Sequence, residues 1–189
     1  MGTDVFLIGG SAGSILILLQ ILPHLDKDLP FPIVIILHRK SFPQSSLHIL
    51  LETSAALSVL EAEDKTELEN GKCYLAPANY HLLFETKRLL ALDASEKVNF
   101  SRPSIDVTFE SAARIFKNNV GALLLSGGNQ DGVEGLLHIL QNKGVVAIQD
   151  PATAEVSYMP QQALQAIPDI KLLQPDEMAT FINKLKYNT

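Results

Sequence analysis

The chain has 189 residues, of which 47% are hydrophobic, 19% charged and 6% aromatic, enough for one sizeable core and too apolar for a disordered or fibrous protein. Fifteen Lys and Arg against 21 Asp and Glu leave a formal charge of −6 with no basic block, which argues against a nucleic-acid partner. The single cysteine, Cys73, allows no intramolecular disulfide and no Cys-His metal cluster, and neither a basic leader nor a bilayer-length apolar run is visible, so a cytoplasmic location without membrane insertion is expected.

Val5 to Ile8 opens the chain as a short apolar run of the kind buried on both faces in a parallel sheet. It passes into Gly9-Gly10-Ser11-Ala12-Gly13-Ser14, and then Ile15, Leu18, Leu19 and Leu22 recur at helical spacing. Ile33 to Leu37 reads as a second buried strand and ends at His38. The segments Leu57–Ala62, Lys72–Ala76, His81–Glu85 and Arg88–Leu92 follow at short intervals and predict an inserted set of short, partly antiparallel strands. Asp93 to Pro103 is polar and predicts a surface loop, after which Ser104 is placed to cap a helix carrying Phe109, Ala112, Ala113 and Phe116. Ala122 to Leu125 is a third strand, followed by a glycine-rich loop and a helix over Val133, Leu136, Leu137 and Leu140; Val145 to Ile148 is a fourth strand. Strands alternating with helices predict a layered α/β fold, and no linker divides residues 1–189 into more than one domain.

The stretch Gly9-Gly10-Ser11-Ala12-Gly13 contains G-x-S-x-G between a strand and a helix. A serine there stands on a tight turn with its hydroxyl at the C-terminal edge of the sheet, where backbone N–H groups can face a developing oxyanion. A plain glycine turn and a phosphate cradle are the other readings, the cradle weakened because Ser11 and Ser14 occupy positions where G-x-G-x-x-G needs glycine. A nucleophilic serine needs a base, and His38 directly follows a parallel strand, so the topology delivers it to the same edge. His24 and His81 border short loops and His48 and His138 lie in helical patterns, which predicts solvent-facing roles. Asp131, in the loop after the third strand, is the candidate to orient the imidazole, with Asp150 the runner-up and an ordinary Asp-Gly cap the bland alternative. Cys73 reads as a buried apolar residue rather than a thiol nucleophile.

Together these motifs make the chain similar to the catalytic domain of the CheB protein-glutamate methylesterases of bacterial chemotaxis. The resemblance rests on Ile8-Gly9-Gly10-Ser11-Ala12-Gly13, Leu37-His38, Leu75-Ala76-Pro77 with His81-Leu82, and Arg102-Pro103-Ser104-Ile105-Asp106. It continues through Leu125-Ser126-Gly127 to Asp131-Gly132 and Gln149-Asp150-Pro151 with Met159-Pro160. It implies a Rossmann-like, mainly parallel sheet flanked by helices, with no metal or organic cofactor. Ser11 is then the nucleophile, His38 the base and acid, and Asp131 the orienting carboxylate. The implied reaction is hydrolysis of glutamyl methyl esters on the cytoplasmic helices of a methylated chemoreceptor or related signalling protein, with glutamine deamidation as a second activity.

Four positions depart from the family pattern. Ala12 stands where Thr is common and Ser14 where Gly is common, Gly128 replaces a methionine whose N–H serves the oxyanion, and Ser101 replaces a histidine. Ala12, Gly128 and Met159 are the oxyanion and substrate positions carried over from the family. Arg102 is a candidate contact for a receptor carboxylate, with a structural ion pair as its other reading. The altered acid loop supports a rival expectation, a signalling module that binds a receptor or partner helix with weakened turnover; a nucleotide-binding domain fits the glycine pattern less well. Family members commonly carry a receiver domain over the active-site face, whereas the first strand here begins at about Asp4. Constitutive activity follows as an expectation, with any phosphorylation switch residing in a separate receiver protein.

Overall fold

In the computed structural model, which describes residues 2–39 and 46–187, the buried apolar runs line up as one parallel sheet. Its strands are β1 (Val5–Gly10), β2 (Ile33–Leu37), β3 (Ser58–Glu61), β4 (Lys72–Leu75), β7 (Val120–Leu124), β8 (Val145–Gln149) and β9 (Lys171–Leu173). They lie in the order β3-β4-β2-β1-β7-β8-β9, and β5 (His81–Phe84) pairs with β6 (Leu90–Asp93) in a separate antiparallel hairpin. The helices are α1 (Ser14–Ile21), α2 (Leu47–Ser54), α3 (Ile105–Phe116), α4 (Val133–Gln141), α5 (Tyr158–Ala166) and α6 (Pro175–Lys184).

Side chains alternate across a strand, so β1 feeds two cores. Val5 and Leu7 join Val34, Ile36, Phe109, Leu136 and Met159 on the face covered by α3, α4, α5 and the hairpin. Phe6 and Ile8 join Ile33, Ile35, Leu18, Leu51 and Ile182 on the face covered by α1, α2 and α6. All six residues of β1 are buried, which explains the unbroken apolar run. After β1 the chain winds outward through β2, and it later returns to place β7 on the opposite side of β1. A crevice therefore opens at the C-terminal ends of β1 and β7, the place where open α/β sheets put their ligands.

Two carboxylates lock α3 to α4 at that crevice. Asp131, just before α4, lies over the N-terminus of α3, where its Oδ2 accepts the Ile105 N–H at 2.7 Å and its Oδ1 accepts the Asp106 N–H at 3.2 Å. Asp106, in the first turn of α3, returns the arrangement: its Oδ1 accepts the Gly132 and Gly135 N–H groups of α4, both at 2.8 Å. Each acid satisfies donors that its partner helix cannot satisfy internally, and each sits at the positive end of a helix dipole. Ser104 caps α3 as its position predicts, accepting the Val107 N–H while its hydroxyl donates to Asp131 Oδ1 at 2.7 Å. Gly9 makes the approach possible, since a Cβ there would stand 2.6 Å from Ile105 Cγ2.

The middle of the chain differs from the expectation in detail. β3 and β4 are parallel strands of the main sheet, with β4 paired to β2 through Ile33↔Cys73 and Ile35↔Leu75. Among the described residues the antiparallel strand pair is confined to 81–93. β4 is buried almost throughout, whereas β3 is the half-exposed edge, and that exposure is what makes its sequence resemble an antiparallel strand. His81 is also not solvent-facing: it is 1% exposed, with Nε2 on the Glu96 carbonyl at 2.9 Å and Nδ1 accepting the Ser104 N–H at 3.1 Å. It thereby ties the hairpin to the cap of α3.

Burial pushes the Asp106 carboxyl up to about 6, and the charge of Asp131 adds to the rise against the bonds from Gly135 and Gly132. Between the ordinary aspartate value and that one, the folded protein holds more protons than the unfolded chain, so Asp106 makes the fold less stable as pH rises through 4 to 6. In Asp106→Asn the carboxamide oxygen still accepts both N–H groups and the charge is gone. Urea denaturation at pH 4 and pH 7 is expected to show the variant gaining on the parent by on the order of 2 kcal/mol across that interval. A pH-independent difference would refute this account of the pair.

Candidate active site

Ser11, His38 and Asp131 follow β1, β2 and β7, and the parallel sheet brings all three to one edge. The β1–β2 ladder continues past the last strand residue, because the His38 N–H donates to the Gly10 carbonyl at 3.1 Å. That bond fixes the histidine's backbone beside the serine's. The Ser11 N–H is itself engaged, by the Ser126 carbonyl at 2.9 Å and by Ser14 Oγ at 3.1 Å.

His38 Nε2 lies 2.6 Å from Asp131 Oδ2, with the imidazole 11% exposed and the carboxylate wholly buried. Burial by itself raises the pKa of a carboxyl, but bonds from His38, Ser104 and Ile105 outweigh it and hold Asp131 below the usual carboxylate range. Asn99 adds a further donor, its Nδ2 lying 3.2 Å from Asp131 Oδ1 and 2.8 Å from Asp106 Oδ2. Asp131 therefore stays ionised and cannot swing away. The imidazole is anchored through Nε2, so Nδ1 is the nitrogen left for proton exchange with another group.

The loop after β7 is held from several sides. The Ser126 N–H donates to Gln149 Oε1 at 3.1 Å, and the Ser126 hydroxyl reaches the Ala12 carbonyl at 2.7 Å while accepting the Val156 N–H at 2.9 Å. The Gly127 N–H donates to the Val156 carbonyl, and the Gly127 carbonyl accepts the Met159 N–H. Among the described residues, the N–H groups of Ala12 and Gly128 meet no protein acceptor. Ala12 is exposed at the turn, and Met159 is wholly buried beneath the loop, its Cε 2.4 Å from where a Cβ on Gly127 would stand.

Other candidates fall elsewhere. Asp150 accepts the Ala152 N–H at 2.9 Å and Gln174 Nε2 at 2.6 Å, which makes it a cap joining β8 to the start of α6. Cys73 is buried in β4 and its thiol is pushed up to about 12 by that burial, leaving no thiolate at neutral pH. Arg102 donates through Nη1 to the Ala94 and Ser95 carbonyls at 2.7 and 2.6 Å, the structural role open to it. His24 is exposed, and His48 lies 3.4 Å from Glu61. Among the described residues no His, Cys, Asp or Glu group is arranged to hold a metal ion, and no helix is long and apolar enough to cross a membrane.

The supporting residues that sequence reasoning passed over are Ser14, Ser126, Asn99 and Asp106. Ser14 looked like the loss of a glycine, yet its buried hydroxyl accepts from Ser11 N–H and donates to the Ser126 carbonyl at 2.9 Å, tying the serine turn to the acid loop. Asn99 lay in a polar stretch read as surface. Only its side-chain bonds to two aspartates distant in sequence give it a place in the site.

Comparison with known proteins identifies the family and the fold. The family model described as CheB methylesterase matches residues 6–182. A relative from Leptospira interrogans, named for protein-glutamate methylesterase and protein-glutamine glutaminase activity, is 38% identical over 188 residues, covering 100% of this chain and 97% of the relative. The protein of that name from Thermotoga maritima is 35% identical over 85% of this chain, which spans 48% of that longer protein. The crystal structure of the Thermotoga maritima CheB methylesterase catalytic domain superposes with a TM-score of 0.92 at 31% identity, covering 98% of this chain and all of that one. Matched over nearly its whole length by the family model, by these relatives and by the solved catalytic domain, the chain belongs to the CheB methylesterase family.

Proposed function

We propose that residues 1–189 form one methylesterase catalytic domain that hydrolyses glutamyl methyl esters on a methylated chemoreceptor or related signalling protein, and deamidates glutamine by the same route. The observation that carries this reading is the buried 2.6 Å contact of His38 Nε2 with Asp131 at the edge that also bears Ser11. The names of the relatives supply the substrate class. A cytoplasmic location suits such a substrate.

In the proposed reaction Ser11 Oγ attacks the γ-carbonyl carbon as its proton passes to His38 Nδ1. The oxygen that becomes negative is met by the Ala12 and Gly128 N–H groups, which stand ready because no protein acceptor competes for them. His38 returns the proton to the leaving methanol, or to ammonia in deamidation. Water, deprotonated by the same nitrogen, cleaves the acyl-enzyme to a free glutamate and Ser11. Asp131 remains ionised throughout, holding the Nε2–H tautomer and stabilising the transient imidazolium. The reading of the chain as a module with weakened turnover rested on a loose loop at Gly128, and the bonds at Ser126, Gly127 and Met159 speak against it.

Ser11→Ala and His38→Ala are each expected to lower methanol release from a γ-methylglutamyl peptide by at least about a thousandfold, with the double variant scarcely worse. Turnover near the parent rate by folded Ser11→Ala would sink the assignment. Nitrogen-15 NMR of neutral His38 should find the proton on Nε2, and an Nδ1–H tautomer would reverse the proposed proton path.

The acid loop separates two neighbouring glycines. At Gly127 a Cβ would meet Met159 Cε at 2.4 Å and Ser11 Cβ at 3.1 Å, whereas at Gly128 the nearest atom is Val156 Cγ1 at 3.9 Å. Gly127→Ala should therefore cut kcat/KM by on the order of a hundredfold, the scale of a misplaced oxyanion donor. Gly128→Met should change it by less than about threefold, because the loop is already anchored on both sides. Equal effects at the two positions in steady-state assays would contradict this geometry.

A further inference from the structure

The cavity that takes in His38 has a charge unlike the rest of the molecule. It measures about 440 Å³, and its ionisable lining besides His38 is Arg39, Lys97 and Arg102, with no carboxylate among the described lining residues. The chain as a whole carries −6, and a neighbouring cavity is lined by Glu61, Glu63 and Asp64. Arg39 is paired to Glu61 at 2.6 Å, and Arg102 is held through Nη1 by two carbonyl oxygens without a direct ion pair among the described residues, Asp93 being the carboxylate that feels its charge. Lys97 is exposed and has no ion-pair partner among the described residues.

The rim of this cavity is a turn that an ordinary loop would avoid. Val98 and Ser101 exchange backbone bonds across Asn99 and Phe100, whose φ angles are +49° and +63°. Two consecutive left-handed residues are the pattern of a tight hairpin turn, and asparagine suits the first position, but the second favours glycine and here bears a phenyl ring. The ring is 97% exposed, so no packing within the chain offsets the backbone's preference. The turn is pinned in place by the Asn99 side chain on Asp106 and Asp131. An aromatic held in this way beside cations resembles the centre of a binding surface, where aromatic and arginine side chains supply most of the energy.

We propose that the 98–101 turn and the cationic cavity dock the substrate segment around the ester, and that this segment is acidic. Phe100 packs on its aliphatic side, and Lys97 and Arg102 meet carboxylates flanking the modified glutamate. The proposal rests on the esterase reading for the identity of the bound segment, while its test reads binding separately from turnover. Because Asn99 also bonds Asp131, the docking turn and the acid that orients His38 belong to one rigid unit.

The full chain carrying Ser11→Ala is titrated by fluorescence anisotropy with three labelled peptides, each bearing a central γ-methylglutamyl residue flanked by Glu, by Gln or by Lys. The Glu-flanked peptide is expected to bind at least about tenfold more tightly than the Lys-flanked one at low salt, with the gap closing near 1 M salt. Adding Lys97→Glu should narrow or invert the order. Phe100→Gly should weaken all three peptides about tenfold while leaving Tm equal or higher, since glycine relieves the left-handed backbone. Equal binding of the three peptides, a preference for Lys, or undiminished binding by Phe100→Gly would overturn the proposal. If the acidic preference holds but the wild-type chain releases no methanol from the Glu-flanked peptide, the docking surface stands and the esterase reading falls.

Discussion

The site depends on an exchange of carboxylates between two helices. Asp131 precedes α4 yet satisfies the first turn of α3, and Asp106 belongs to α3 yet satisfies the first turn of α4. Each helix carries an acid in its own first turn, Asp106 in α3 and Glu134 in α4, yet the backbone N–H groups at each start are met by a carboxylate from across the helix pair. The same contacts that join the helices hold Asp131 ionised and aimed at His38. Fold and site are therefore stabilised by one set of bonds, and a residue orienting the imidazole also carries tertiary structure.

A parallel sheet explains why so few residues need special placement. Every strand delivers its following residue to the same edge, so Ser11 and His38 meet through strand order and a single backbone bond. The acid arrives by a longer route, through a loop whose first residues, Ser126 and Gly127, are tied to β8, α5 and the serine turn. Rigid strands position Ser11 and His38, while a braced loop positions Asp131 and the unengaged N–H of Gly128. Such preorganisation is what allows N–H groups to stabilise developing charge without first reorganising.

Much of this was legible in the residues. Buried strands showed themselves as apolar runs, and Ser11 and His38 as the polar residues that end them. Asp131 was legible as the acid between the third strand and its helix. What stayed hidden has a common cause: its meaning lies in partners far along the chain. β3 and β4 look like hairpin strands until β4 is seen against β2. His81 borders a loop in sequence, yet its two nitrogens are satisfied by Glu96 and Ser104, and no local pattern distinguishes a buried histidine with distant partners from an exposed one. Asp106 in a first helical turn has an ordinary local explanation, so nothing in the sequence points to its bonds across to α4.

Ser14 has a consequence for how this site can change over generations. Its hydroxyl occupies space that only a glycine at position 10 leaves open, because a Cβ there would lie 2.2 Å from Ser14 Oγ. The two positions are epistatic. A larger residue at Gly10 is blocked while Ser14 is present, whereas replacing Ser14 by glycine first removes that particular barrier. Mutational paths through this turn thus have a permitted order, and a lineage that has acquired the serine is held to its neighbouring glycine as if by a ratchet.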